Sequence, residues 1–347
     1  MNENAKLTVS SSPHIRSSVD TRRIMLDVII ALLPALVASV IFFGLRALLM
    51  TVISVAACVF FEWGYRKLMK KPNSIGDLSA VITGMLLAYC MPVSAPYWLT
   101  IVGALFAIVI VKQLYGGIGK NFLNPALAGR AFLMASWPVW MTTWMAPRSY
   151  ESIANFGADA VTAATPMANL HVGALPTASI LDMFLGNVGG CLGEVSALAL
   201  ILGGAYLVIR GVISLRIPLS YLLTVAVLTF IFPKGGASNL EWMLSNLLGG
   251  GLMLGAIFMA TDYATSPITP KGQLIFGIGC GLLTVFIRYF GSYSEGVSYA
   301  ILIMNILVWL IDKLTLPRRF GVTREDMRKA KAAKREARKT AKEAAAQ

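Results

Sequence analysis

Apolar residues run in long blocks separated by short polar intervals, and ten blocks follow one another at residues 24–43, 47–65, 78–91, 97–111, 125–141, 191–209, 217–232, 247–260, 274–289 and 297–311. A helix needs roughly 20 apolar residues to cross a bilayer, so the pattern predicts an all-α integral membrane protein with about ten transmembrane helices, several of them short. The first block follows Arg22-Arg23 and has no small-residue cleavage site after a short core, so it reads as a span rather than a removed signal. The longest polar interval divides the blocks into two groups of five. The expected organisation is an N-terminal segment 1–23, a first membrane repeat 24–141, an outer loop 142–190, a second membrane repeat 191–313 and a basic tail 314–347.

The two groups resemble each other. Residues 84–96 align with 255–267 at an offset of 171, and 111–116 with 286–291 at an offset of 175. An odd number of spans per copy turns the second copy upside down, which predicts inverted five-helix repeats with a central site where interrupted helices meet. Two polar interruptions stand out, 116–125 (GGIGKNFLNP) and 261–270 (TDYATSPITP). Irregular backbone at membrane depth is tolerated only when buried in protein or lining a polar cavity. Simple cytoplasmic turns are the other reading. The glycine cluster is no dinucleotide fingerprint, because no strand–turn–helix unit surrounds it.

Composition agrees with the pattern. The 347 residues are 56% hydrophobic and 14% charged, with mean hydropathy +0.69. The net charge of +13 does not point to nucleic acid, because Lys and Arg collect at block ends and in the tail. With the N-terminus inside, thirteen Lys/Arg before the tail fall on the cytoplasmic side and only Arg46, Arg148, Lys234 and Arg288 on the other. That bias puts both termini in the cytoplasm and 142–190 outside. The tail reads as a solvated helix against anionic lipid. Cys58, Cys90, Cys191 and Cys280 stand singly, as packed thiols do, and His14 with His171 offers no axial pair for an intramembrane haem.

Candidate chemistry centres on the outer loop. Pro166 biases Thr165 toward extended backbone, and the surrounding residues are small and turn-forming, so the Thr165 hydroxyl is expected to be accessible. Asp159, Thr162, Ala164 and Thr165 resemble, in order and spacing, the acceptor motif of bacterial flavin transferases, which esterify FMN phosphate onto the last Thr. Thr162 is the rival acceptor, without a following Pro. Together with Lys112-Gln113-Leu-Tyr115-Gly116-Gly117, Asn121-Phe-Leu-Asn124-Pro125 and Thr261-Asp262, this motif makes the chain similar to the NqrB/RnfD family over nearly its whole length. The short segment before the first span is more like the RnfD branch.

The resemblance implies a membrane subunit of a bacterial inner-membrane Rnf-type complex that passes electrons from ferredoxin to NAD while exporting Na⁺ or H⁺. It implies covalent FMN on Thr165, a second non-covalent flavin, usually riboflavin, and as partners a flavin transferase and the other subunits. The sequence shows no soluble domain for ferredoxin or NAD, so catalysis by the isolated chain is not expected. An NqrB-type role in a Na⁺-pumping NADH:quinone reductase, and a small-solute channel of inverted-repeat type, are the alternatives. No metal ligands or catalytic residues are assigned. For an ion path the candidates are Asp262, at the second interruption, Glu62, spaced to pair with the Arg66-Lys67 end, and Arg130, the lone cation well inside a span. Asp27, Asp77 and Asp312 lie near span ends, where water is expected to reach them.

Overall fold

A computed structural model describes residues 20–148 and 164–317. Helices α1 (Thr21–Phe43) and α2 (Leu45–Leu68) form an antiparallel pair about Gly44, whose φ of 73° suits glycine. Asp20 starts α1 by accepting the Thr21 N–H. The short helix α3 (Ser79–Tyr89) follows, then α4 (Tyr97–Leu105), which continues as π-helical turns over Phe106–Gln113, then α5 (Pro125–Ser136) and α6 (Pro138–Met141). After two short helices, α7 (Pro166–His171) and α8 (Ile180–Leu185), come α9 (Ala197–Ile209) and α10 (Arg216–Ile231). Helix α11 (Asn239–Leu248) bends by 63° into α12 (Leu252–Leu254), which runs on as π-helical turns to Met259, and α13 (Pro270–Phe290) and α14 (Val297–Thr315) complete the bundle. No strand forms among the described residues; Pro92 and Cys191 make an isolated β-bridge.

Four helices, α1, α2, α13 and α14, are long and apolar enough to cross a membrane, and the bent α11–α12 pair would make a fifth. Every block expected to span contains a helix, but several are interrupted. Helix α3 holds 11 residues, about 16 Å, against roughly 30 Å of hydrocarbon. Trp137 breaks the 125–141 block before Pro138, and the 191–209 block is helical only from Ala197. A glycine triplet, Gly249 to Gly251, makes the α11–α12 bend.

Helix α1 packs on α9, α2 on α3 and α4, α10 and α14 on α13, and α5 on α14. Glycine makes the close crossing of α1 and α9: a Cβ on Gly203 of α9 would lie 2.0 Å from the Ala31 carbonyl oxygen of α1. Outward faces keep Val37, Ile41, Val52, Phe60, Phe286 and Ile306 exposed, which suits lipid. All four cysteines are buried and free.

Candidate functional site

Two cavities lie at opposite ends of the bundle. The first, of about 380 Å³, opens where α5 ends, α9 begins and α14 begins, with Met134, Val195 and Ser298 among its lining residues. The second, of about 100 Å³, sits where α1 and α5 begin and α9 ends, lined by Ile24, Pro125 and Leu207.

Thr165 stands on the wall of the first cavity, with Ala164 beside it. Its backbone is extended (φ −72°, ψ 152°) as Pro166 dictates. The hydroxyl differs from expectation. Thr165 is only 8% exposed, and its Oγ1 accepts the Ala168 N–H at 3.2 Å, so the residue caps α7 as well as facing the cavity. Ala164 is exposed, while Asp159 and Thr162 lie outside the described residues.

Arg130, on α5, reaches the same cavity. Its guanidinium donates to Glu295 Oε2 at 2.8 Å and to Ser298 Oγ at 3.1 Å, and lies 3.9 Å from Glu194 Oε2. Glu295 Oε1 also accepts the Gly251 N–H; a Cβ on Gly250 would fall 2.6 Å from that oxygen, so the glycine triplet shapes the cradle. Glu194 Oε1 accepts the Cys191 N–H at 3.1 Å, whereas Glu194 Oε2 has no hydrogen-bond partner. Arg288 lies behind the cavity, donating to the Asn246 carbonyl at 2.6 Å and to that of the lining residue Gly249 at 3.2 Å.

Glu194 and Glu295 sit in the segments before α9 and between α13 and α14, outside the spanning helices. Burial pushes both carboxyls up. For Glu295 the guanidinium charges of Arg130 and Arg288 outweigh burial and hold it below the usual range. For Glu194 burial, then the negative charge of Glu295, prevail over Arg130 and raise it.

The second cavity holds Asp262 and borders a buried ion pair. Asp262 accepts the Thr265 hydroxyl at 3.0 Å, immediately after the π-helical end of α12. Glu62 does not pair with the Arg66-Lys67 end. Lys112 Nζ donates to Glu62 Oε2 at 2.7 Å and to Ser79 Oγ at 2.7 Å, and Ser74 donates to Glu62 Oε1. Arg66 turns instead to Gln113 and the Pro72 carbonyl, because the π-helical turns bring Lys112 inward, where its side chain is 4% exposed and that of Glu62 1%.

Arg130 lies within α5, and Arg46, Lys112 and Arg288, at the ends of their elements, are buried too. Asp27 accepts from Tyr206 at 2.9 Å and from the half-exposed Arg210 at 3.2 Å. The structure thus joins Thr165 with Arg130 and keeps Asp262 and Glu62 apart from them. It adds Glu194 and Glu295, which sequence reasoning passed over, and Arg288 and Lys112, which it named without a site role. The readable signal for the two acids was a carboxylate wedged among glycines at the start of an apolar block, Gly193-Glu194 and Glu295-Gly296.

Fold and site define a helical membrane protein with several apolar helices and two cavities that each hold charged side chains. The chain belongs to the NQR2, RnfD, RnfE family, whose model matches residues 8–321. It is 52% identical over 329 residues to the D subunit of the Na(+)-translocating ferredoxin:NAD(+) oxidoreductase complex of Acetobacterium woodii, covering 93% of this chain and 98% of that one. To the D subunit of the proton-translocating ferredoxin:NAD(+) oxidoreductase complex of Clostridium ljungdahlii it is 43% identical over 332 residues, covering 91% and 97%. To the D subunit of the ion-translocating oxidoreductase complex of Stutzerimonas stutzeri it is 40% identical, covering 88% and 93%.

Proposed function

We propose that this chain is the D-type membrane subunit of an ion-translocating ferredoxin:NAD⁺ oxidoreductase complex and carries FMN esterified through phosphate to Thr165. Near-full-length similarity to the D subunits of two ferredoxin:NAD⁺ complexes supports the first part and speaks against a solute channel or an NqrB-type role. The observation that carries the second is the position of Thr165 on the wall of a 380 Å³ cavity that also holds a buried guanidinium and a stacked tyrosine pair, Tyr293 and Tyr299, with ring centroids 5.3 Å apart.

The lining fits an isoalloxazine ring. Trp144, Tyr293 and Tyr299 offer aromatic faces and Met134 and Met167 adaptable apolar ones, while Arg130 supplies positive charge. Thr165 would hold the group by its ester, and the aromatic walls would exclude water from it. When bound, the flavin supplies one- and two-electron transfer, which no side chain here can perform. A second flavin, riboflavin, belongs to the same reading, but the other cavity has about a quarter of the first one's volume, and its residues make no case for it.

The reading includes ten spans in two inverted repeats, both termini cytoplasmic, the acceptor loop outside and the bacterial inner membrane as the location. Helix positions support the repeats. An offset of 171 carries Leu45, the start of α2, onto Arg216, the start of α10; it brings Tyr97 within two residues of Pro270, and Pro125 onto Gly296, the N-cap of α14. It also carries Ile24, Ser79, Asn121 and Asn124 of the second cavity onto Val195, Gly250, Ser292 and Glu295 of the first. The ion path in this reading enters beside Asp262 and the Glu62–Lys112 pair, at the cytoplasmic end, where the Lys/Arg excess lies.

Mass spectrometry of the peptide 159–167 from protein made with an active flavin transferase tests the attachment. The FMN mass should sit on Thr165 and disappear with Thr165→Val, while the spans still insert. Its absence from the peptide, or its presence on Thr162, would overturn the assignment.

A further inference from the structure

Arg130, Glu194 and Glu295 line the Thr165 cavity, and Arg288 lies behind it, bonded to the carbonyl of the lining residue Gly249; the four charges sum to zero when all are ionised. They are not held equally. Glu295 has a 2.8 Å charge-assisted bond from Arg130 and a backbone N–H on its other oxygen. Arg288 is tied to two carbonyls. Glu194 alone keeps an oxygen without a hydrogen bond, on a side chain only 6% exposed that lines the cavity, with its nearest cation at 3.9 Å. Placing further negative charge in so closed a site is costly unless a positive charge arrives with it. Glu194 Oε2 is where it can arrive with least rearrangement.

We propose that Glu194 is a proton-binding group of the Thr165 cavity, which takes up one proton on Oε2 when negative charge enters the cavity and releases it when that charge leaves. An O–H bond forms on a carboxylate and breaks again; no electron passes through Glu194. A proton fits better than a metal ion, because one free carboxylate oxygen suffices for it, and among the described residues no group of three His, Cys, Asp or Glu could hold a metal. The titratable groups around Glu194 are Arg130 from α5, Glu295 before α14, Cys191 on its own segment and Cys90 at the end of α3, with Arg288 of α13 behind them and His171 of α7, Tyr293 and Tyr299 on the same cavity wall. The negative charge of Glu295 favours the proton, and the guanidinium of Arg130 opposes it. Charge entry by reduction of a flavin rests on the function proposed above; the proton site itself rests on the cavity.

Infrared difference spectroscopy on the full chain reads this directly. In spectra taken between high and low pH, without any redox change, a protonated-carboxyl band should grow as pH falls and vanish in Glu194→Gln. Glu295→Gln removes the neighbouring negative charge, so it should move the midpoint of the band to lower pH, a shift that a purely structural role for either residue would not give. If Glu194→Gln does not accumulate, Glu194→Asp should keep the band with a displaced midpoint. In the assembled complex, reduced-minus-oxidised spectra should show the same band gained on reduction. Persistence of the band in Glu194→Gln, an unmoved midpoint in the Asp and Glu295→Gln variants, or a band governed by Na⁺ at fixed pH would overturn the proposal. Loss of the redox-induced band alone, with the pH titration intact and no covalent flavin, would remove the flavin and leave the proton site.

Discussion

Arg130 is the nearest cation to two buried carboxylates, so removing it leaves Glu194 without an ion-pair partner and Glu295 with only the more distant Arg288. Arg130→Met is expected to destabilise the fold by about 3–5 kcal/mol, checked by thermal unfolding of purified protein in detergent. The Glu62–Lys112 pair gives a sharper result, because its partners can be removed together. Glu62→Gln and Lys112→Met should each destabilise by a similar amount, while the double variant should lie near wild type; additive losses would show that the two do not act as a pair. At Asp262 the contest is between an ion-path carboxylate and a local turn. Its carboxylate accepts only the Thr265 hydroxyl among the side-chain hydrogen bonds observed, and asparagine can accept that too. Asp262→Asn should therefore fold normally yet lower ion uptake by vesicles; unchanged uptake would leave Asp262 a turn residue. Arg130 was legible as a charge inside an apolar block, and Thr165 through its motif. The partner of Glu62 was not, because Lys112 is 50 positions away and helical spacing names only neighbours three or four residues off.

Elements explain why the apolar blocks were easy to find and their interiors were not. Hydrophobicity marks α1, α2, α13 and α14 because length and composition agree there. It cannot distinguish a full span from α3, whose 11 residues are nearly all buried by protein and give the same apolar signal. The π-helical turns at Phe106–Gln113 and Gly255–Met259 are equally silent in sequence, yet they turn Lys112 inward and lead into Asp262. Helix–helix contact makes its own demand at Gly203, where any side chain meets the Ala31 carbonyl. Gly203→Ala should destabilise by about 1–3 kcal/mol through separation of α1 and α9, and Gly203→Leu should prevent accumulation in the membrane, as immunoblotting of membrane fractions would show. An accumulating Leu variant with normal melting would mean that the crossing is slack.

Across the whole molecule, the matched family region ends at residue 321, so most of the basic tail lies beyond it. Deleting residues after Arg319 should leave covalent flavin per protein within about ten per cent of wild type, as in-gel fluorescence under ultraviolet light would measure; a large drop would tie the tail to assembly. The pairing of α1 with α9 and of α5 with α14 has a different consequence, for the order of events at the ribosome. Gly203 is made 172 residues after Ala31. At roughly 5–20 residues per second that is on the order of 10–30 s during which α1 is in the bilayer without the surface it is shaped to meet. The first half must wait for the second, held by lipid or by an insertion chaperone. A nascent chain stalled between residues 142 and 190 should therefore be far more sensitive to membrane proteolysis than one released after α14.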